Sequence, residues 1–96
     1  MEKELFDRII NVICEEFRIT RQMMMGRNTS SNVSIARNFA YYILHCDYNV
    51  SINKIAKLFS RTPRNIFARI ANIRYNIKKV TSYCNKYNNI SFFLNS

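Results

Sequence analysis

The feature that most restricts this chain is a scarcity: it has one glycine and one proline in 96 residues. A small sheet protein turns every few residues, and its turns depend on the dihedral angles these two residue types supply. Helices joined by few breaks are the architecture left, so the expected fold is all-α, a compact bundle of about five to six helices. A chain this short buries one modest core, which predicts a single domain over residues 1–96. No apolar run approaches the roughly 18 residues of a membrane span, so no membrane role is expected. Residues Met1 to Asp7 are acid-rich and amphipathic rather than a basic and then apolar leader, which makes the cytoplasm the expected location.

Apolar spacing locates the helices. Leu5, Phe6, Ile9, Ile10, Val12, Ile13 and Phe17 share a 3.6-residue face and predict a first helix over about residues 3–16. Thr20 is a suitable cap for a short helix, Arg21 to Met25, which stops at Gly26, where a left-handed conformation is expected. Met23, Met24 and Met25 are expected to be malleable core packing. Residues 27–31 are polar and form a loop. Ile35, Phe39, Tyr42, Ile43 and Cys46 then recur on one face and predict a central helix over residues 32–47.

Charge divides the chain in two. Before residue 48, Lys3, Arg8, Arg18, Arg21, Arg27 and Arg37 are balanced by Glu2, Glu4, Asp7, Glu15, Glu16 and Asp47. After it come Lys54, Lys57, Arg61, Arg64, Arg69, Arg74, Lys78, Lys79 and Lys86 with no acid, which accounts for the whole net charge of +9. A field this one-sided suits a polyanion, nucleic acid before anionic lipid.

The basic half carries a recognisable arrangement. Ser51 is a good N-cap for a helix whose stripe is Ile52, Ile55, Ala56 and Phe59, leaving Lys54 and Lys57 facing outward. Thr62-Pro63 joins an N-cap to the residue favoured at the first helical position, so a new helix starts abruptly and runs to about Lys79. Ile66, Ile70, Ile73 and Ile77 line one side of it; Arg64, Asn65, Ala68, Arg69 and Asn72 lie opposite. A short helix, a tight turn and a longer helix with a cationic leading edge describe a helix-turn-helix over about residues 51–79. A major groove about 12 Å wide admits one such helix, and its first turns place Arg64, Asn65 and Arg69 at base edges. The turn from Arg61 through Thr62 to Pro63 suits a phosphate, Lys54 and Lys57 clamp the flanking backbone, and Ser51 is expected at the same DNA surface.

These residues resemble the C-terminal DNA-binding domain of the bacterial replication initiator DnaA, over about residues 9–77. The landmarks are Phe17-Arg18-Ile19 followed by Met24-Met25, the polar loop, the run from Ile35 to Leu44 with Arg37-Asn38 inside it, and Ser51, Ile55 and Phe59 spaced by four. The resemblance implies a helical bundle that grasps double-stranded DNA in the major groove while the basic loop enters the minor groove. Arg27 is then the loop residue, and Arg37 with Asn38 match the family's phosphate-touching Arg-Gln pair. Where the family reads Gly-Gly-Arg-Asp-His-Thr-Thr, this chain has Ser60-Arg61-Thr62-Pro63-Arg64-Asn65. The family's usual target box is therefore not implied, although a duplex is. A role in replication initiation or transcription control, of a chromosome or a mobile element, is the functional expectation.

Other classes find little support. The sequence has no glycine-rich phosphate loop for an ATPase, and one histidine with no carboxylate pair in the basic half offers no catalytic set, so neither enzyme nor small-molecule substrate is expected. Cys14, Cys46 and Cys84 are too far apart for a paired metal site and are expected to be buried reduced thiols; no metal or cofactor is expected, His45 notwithstanding. The competing class is a helical protein-interaction module or dimerising adaptor that keeps the bundle without the DNA. It rests on the extension over residues 80–96, where Phe92, Phe93 and Leu94 either fold back on the core or form a homodimer contact.

Overall fold

The computed structural model describes residues 1–95, and helices account for about four-fifths of them. The elements are α1 (Lys3–Phe17), α2 (Arg21–Met25), α3 (Ser31–Tyr42), a π-helical turn (Ile43–Asp47), α4 (Ile52–Phe59), α5 (Pro63–Lys79) and α6 (Thr81–Leu94). No strand occurs among the described residues. The all-α expectation and the positions of the first five helices hold.

Each break has a local cause. Thr20, Ser51 and Thr62 turn their hydroxyls onto the main-chain N–H groups of Met23, Lys54 and Asn65, and so start α2, α4 and α5. Both α1 and α4 end in a Schellman turn. Arg18 (φ 56°) and Ser60 (φ 54°) take the left-handed conformation, and the next residue, Ile19 or Arg61, donates its N–H to Cys14 or Ala56. Asn32 donates from its side-chain amide to the Phe17 carbonyl at 2.8 Å, tying the start of α3 to the end of α1.

Three expectations are corrected. Gly26 is not left-handed (φ −91°), and glycine is needed there for space, because a Cβ would lie 2.9 Å from the Gln22 carbonyl oxygen. The helix expected over 32–47 changes to π geometry at Ile43, where each hydrogen bond spans one residue more than in an α-helix, a change that apolar spacing over so short a stretch does not reveal. The extension after residue 80 is a full helix, α6. Its apolar residues are sparse, but Ile90 and Leu94 are buried and Tyr83 and Tyr87 pack against the core.

The core forms where α3 meets α1, α2 and α5, with α6 closing against α1 and α5. Ile9, Ile10 and Ile13 from α1, Phe39 and Tyr41 from α3, Ile55 and Phe59 from α4, and Ile66 and Ile73 from α5 are all buried there. Tyr41 meets Phe59 edge-on with ring centres 5.0 Å apart. Of the three methionines, Met24 is fully buried and Met23 and Met25 half-buried. Cys14 is buried, which pushes its thiol pKa up, whereas Cys46 and Cys84 are half-buried rather than enclosed. His45 Nδ1 lies 2.8 Å from the Val50 carbonyl, to which it donates. No group of three or more His, Cys, Asp or Glu side chains comes together among the described residues. No described helix is long and apolar enough to cross a membrane.

Candidate nucleic-acid interface

The isoleucine stripe fixes how α5 presents its charges. Ile66, Ile70 and Ile73 are buried and Ile77 half-buried, which rotates Arg64, Ala68, Arg69 and Asn72 into solvent and leaves Asn65 at the boundary. Neither Arg64 nor Arg69 is in a salt bridge: the two among the described residues are Arg21 with Asp7 and Lys86 with Glu16, neither on this face.

One side of α5 borders a cleft of about 340 Å³ whose opposite wall is the loop after α2. Arg27, Asn28 and Thr29 supply the loop wall, Ser34, Arg37, Asn38 and Tyr41 the floor from α3, and Arg61, Asn65 and Arg69 the α5 side. Six residues expected at a DNA surface (Arg27, Arg37, Asn38, Arg61, Asn65 and Arg69) thus share one concave site with no carboxylate in its lining. Four of its residues are arginines.

These arginines divide by environment. Arg27 and Arg69 are exposed. Arg37 is 7% exposed, and its guanidinium faces main-chain oxygens: Nε donates to Met24 at 2.9 Å, and Nη2 lies within 3.2 Å of the carbonyls of Met23, Gly26 and Asn28. The resemblance implied a phosphate contact for Arg37; the structure gives these donors the task of shaping the loop. Arg61, half-buried, donates from Nη1 to Phe59 (2.7 Å) and from Nη2 to the same Gly26 carbonyl (3.0 Å). One carbonyl at the base of the loop therefore links the helix-turn-helix corner to α3.

Electrostatics follow from this crowding. Burial lowers the pKa of Arg37; Tyr41 opposes that change and Arg61 adds to it. Burial raises the pKa of Tyr41 beneath the cleft, while Arg61, Arg37 and Arg69 pull it back. The floor is thus a neutral phenol surrounded by guanidinium groups, a setting in which an incoming anion relieves mutual repulsion.

Other expected residues lie outside the cleft. Thr62, Pro63 and Arg64 are exposed at the leading end of α5, and Ser51, Lys54 and Lys57 are exposed on α4. Lys54 is close enough to the amino terminus to lower its pKa, and it lines a separate depression of about 190 Å³ with Met1, Lys3, Phe6 and Leu58. Arg74 turns away from the cleft, its Nη2 3.1 Å from Cys46 Sγ and its guanidinium 6.0 Å from the centre of the Tyr42 ring. Sequence reasoning missed Ser34, Asn28, Thr29 and Tyr41 as lining residues. Ser34 precedes Asn38 by one helical turn and Tyr41 follows it by nearly one, a shared face that helical spacing does signal.

The family described as "Bacterial dnaA protein helix-turn-helix" matches residues 6–80, most of the chain. The chain belongs to that family. Among curated relatives, it is similar to the chromosomal replication initiator protein DnaA of Oleidesulfovibrio alaskensis, 31% identical over 75 residues, which are 78% of this chain and 16% of that protein. It is also 36% identical over 53 residues to the protein of the same name from a Synechococcus species, covering 55% of this chain and 11% of the relative. The chain thus spans a small fraction of the length of these relatives, and the matched region includes the loop, the cleft and the whole helix-turn-helix.

Proposed function

We propose that this chain acts as a single module that binds double-stranded DNA with sequence preference, and serves replication initiation or transcription control in the cytoplasm. The observation that carries the reading is the cleft between the loop and α5, lined by Arg27, Arg37, Arg61 and Arg69 without an opposing carboxylate. In this reading α5 enters the major groove with Arg64, Asn65 and Arg69 at base edges. The loop carries Arg27 and the exposed end of the cleft to the neighbouring minor groove. Asn38, Lys54, Lys57 and the α5 start at Thr62-Pro63 contact phosphates. Membership of the DnaA helix-turn-helix family supports the same reading.

Titrating a labelled random duplex at two salt concentrations tests it. With about four phosphates neutralised, affinity falls on the order of a hundredfold between roughly 50 and 200 mM salt. A flat response, or no binding at low salt, refutes the reading.

A second reading has one specific observation in its favour. Phe92 and Phe93 are 70% and 56% exposed on α6, as an edge-on pair with ring centres 5.5 Å apart, while Leu94 turns into the core. A protein-interaction module or homodimer using these rings gives a concentration-dependent mass in solution and no salt-dependent duplex binding.

A further inference from the structure

The outward face of α5 is less polar than its charge suggests. Arg64 projects there beside Phe67, Ala68 and Ala71, all exposed, and Phe67 is 65% exposed although it has the largest apolar side chain in the first two turns of the helix. The core does not need it, because Ile66 and Ile70 already occupy the buried side. One bulky ring and two methyl groups have no hydrogen bond to offer a base edge.

Charge complementarity identifies the occupant of this face. Arg64 stands on it, Arg69 lies on the adjoining cleft side of α5, Lys57 lies on the preceding helix, and the sequence contains no acid after Asp47. An apolar protein surface is not drawn to so cationic a rim, whereas a polyanion is. Within a major groove, the one apolar group presented by any of the four bases is the C5 methyl of thymine. Resting on the duplex-binding reading above, we infer that Phe67, with Ala68 and Ala71, reads thymine methyl groups, so that this face selects thymine-bearing steps while Arg64 supplies the polar contact. Phe67 is a specificity-determining residue, and cytosine is discriminated against because it presents only a C5 hydrogen at that point.

The effect is that of one methyl group removed from water, about fourfold in affinity per thymine read. To test it, duplexes are selected from a random-sequence pool with the wild-type chain. The enriched duplex is then synthesised with each thymine replaced singly by deoxyuridine, which deletes the methyl and leaves base pairing intact. The inference expects one or two positions at which deoxyuridine weakens wild-type binding about fourfold and leaves Phe67→Ala binding unaffected. Circular dichroism checks that Phe67→Ala, an exposed and helix-favouring change, retains the fold, and Phe67→Leu is expected to keep the methyl dependence in part. If wild type is indifferent to every deoxyuridine, or Phe67→Ala shows the same dependence, the thymine inference is overturned while duplex binding stands. If no duplex is enriched even at low salt, the duplex reading fails and the inference falls with it.

Discussion

Replacing Arg37 with methionine separates a strut from a phosphate contact. The guanidinium donates to four main-chain carbonyls, those of Met24, Met23, Gly26 and Asn28. Methionine fills much of the volume but donates nothing. Gly26 keeps its bond from Arg61, and Asn28 sits in an exposed loop where water takes over. The Met24 carbonyl, on a fully buried residue, is the acceptor left without a partner, at about 1–3 kcal/mol. With a smaller loss at Met23 and the loosened loop, Arg37→Met is expected to destabilise by about 3 kcal/mol, a large share of the roughly 5–15 kcal/mol typical of such a domain. For a chain of this size that is a fall in Tm of about 12–20 °C. Thermal and urea denaturation followed by circular dichroism read it, with Arg37→Lys alongside, which retains the charge but not the planar fork. A variant within about 0.5 kcal/mol of wild type, with the loss confined to duplex affinity, refutes the strut assignment and restores Arg37 to a phosphate.

Other consequences are directly measurable. Arg64→Ala and Arg69→Ala are expected to relax sequence preference by about 1–3 kcal/mol, and Lys57→Ala to weaken all duplexes alike and lower the salt slope by about one, as read from selection and titration. Ser60→Gly relieves a left-handed residue (φ 54°) and is expected to stabilise by about 0.5–1 kcal/mol, whereas Gly26→Ala forces a Cβ against the Gln22 carbonyl and destabilises by about 2 kcal/mol; urea midpoints distinguish the two signs. Tyr87 has its pKa raised from 10.0 to about 12, by burial first and then by its 2.8 Å hydrogen bond to Asp47. The folded state holds this proton more tightly than the unfolded chain. The associated stability is therefore complete below pH 10 and is lost as the pH rises through about 12. Tyr87→Phe is expected to flatten that alkaline decline in unfolding experiments, and tyrosinate absorbance of the wild type to show a late-titrating phenol.

Much of this molecule is legible in its sequence because its signals are local. Thr20, Ser51 and Thr62 cap the helices they precede, Pro63 opens α5, and the isoleucine spacing sets which side of α5 faces outward. The failures are equally physical. The amphipathic signal of α6 is weak: four residues, Tyr83, Tyr87, Ile90 and Leu94, carry its inward side among asparagines and serines, and tertiary contact with α1 and α5 secures them. Local spacing does not show that a distant carbonyl, that of Gly26, accepts from both Arg37 and Arg61. Six of the cleft's ten lining residues are legible in the sequence but its shape is not, since it exists only when the α2–α3 loop is drawn towards the corner before α5.

If the chain binds a duplex as proposed, the shared Gly26 oxygen also fixes how the loop and the corner before α5 sit relative to each other. Because the loop carrying Arg27 and the corner before α5 share one carbonyl, the interval between them is set within the free protein, and a duplex bound as proposed need not impose it. Such a caliper, set in advance, meets its target with little ordering penalty. On the proposed reading it equally disfavours duplexes whose groove-to-groove interval is stretched or compressed, so that shape would join base identity in deciding what is held.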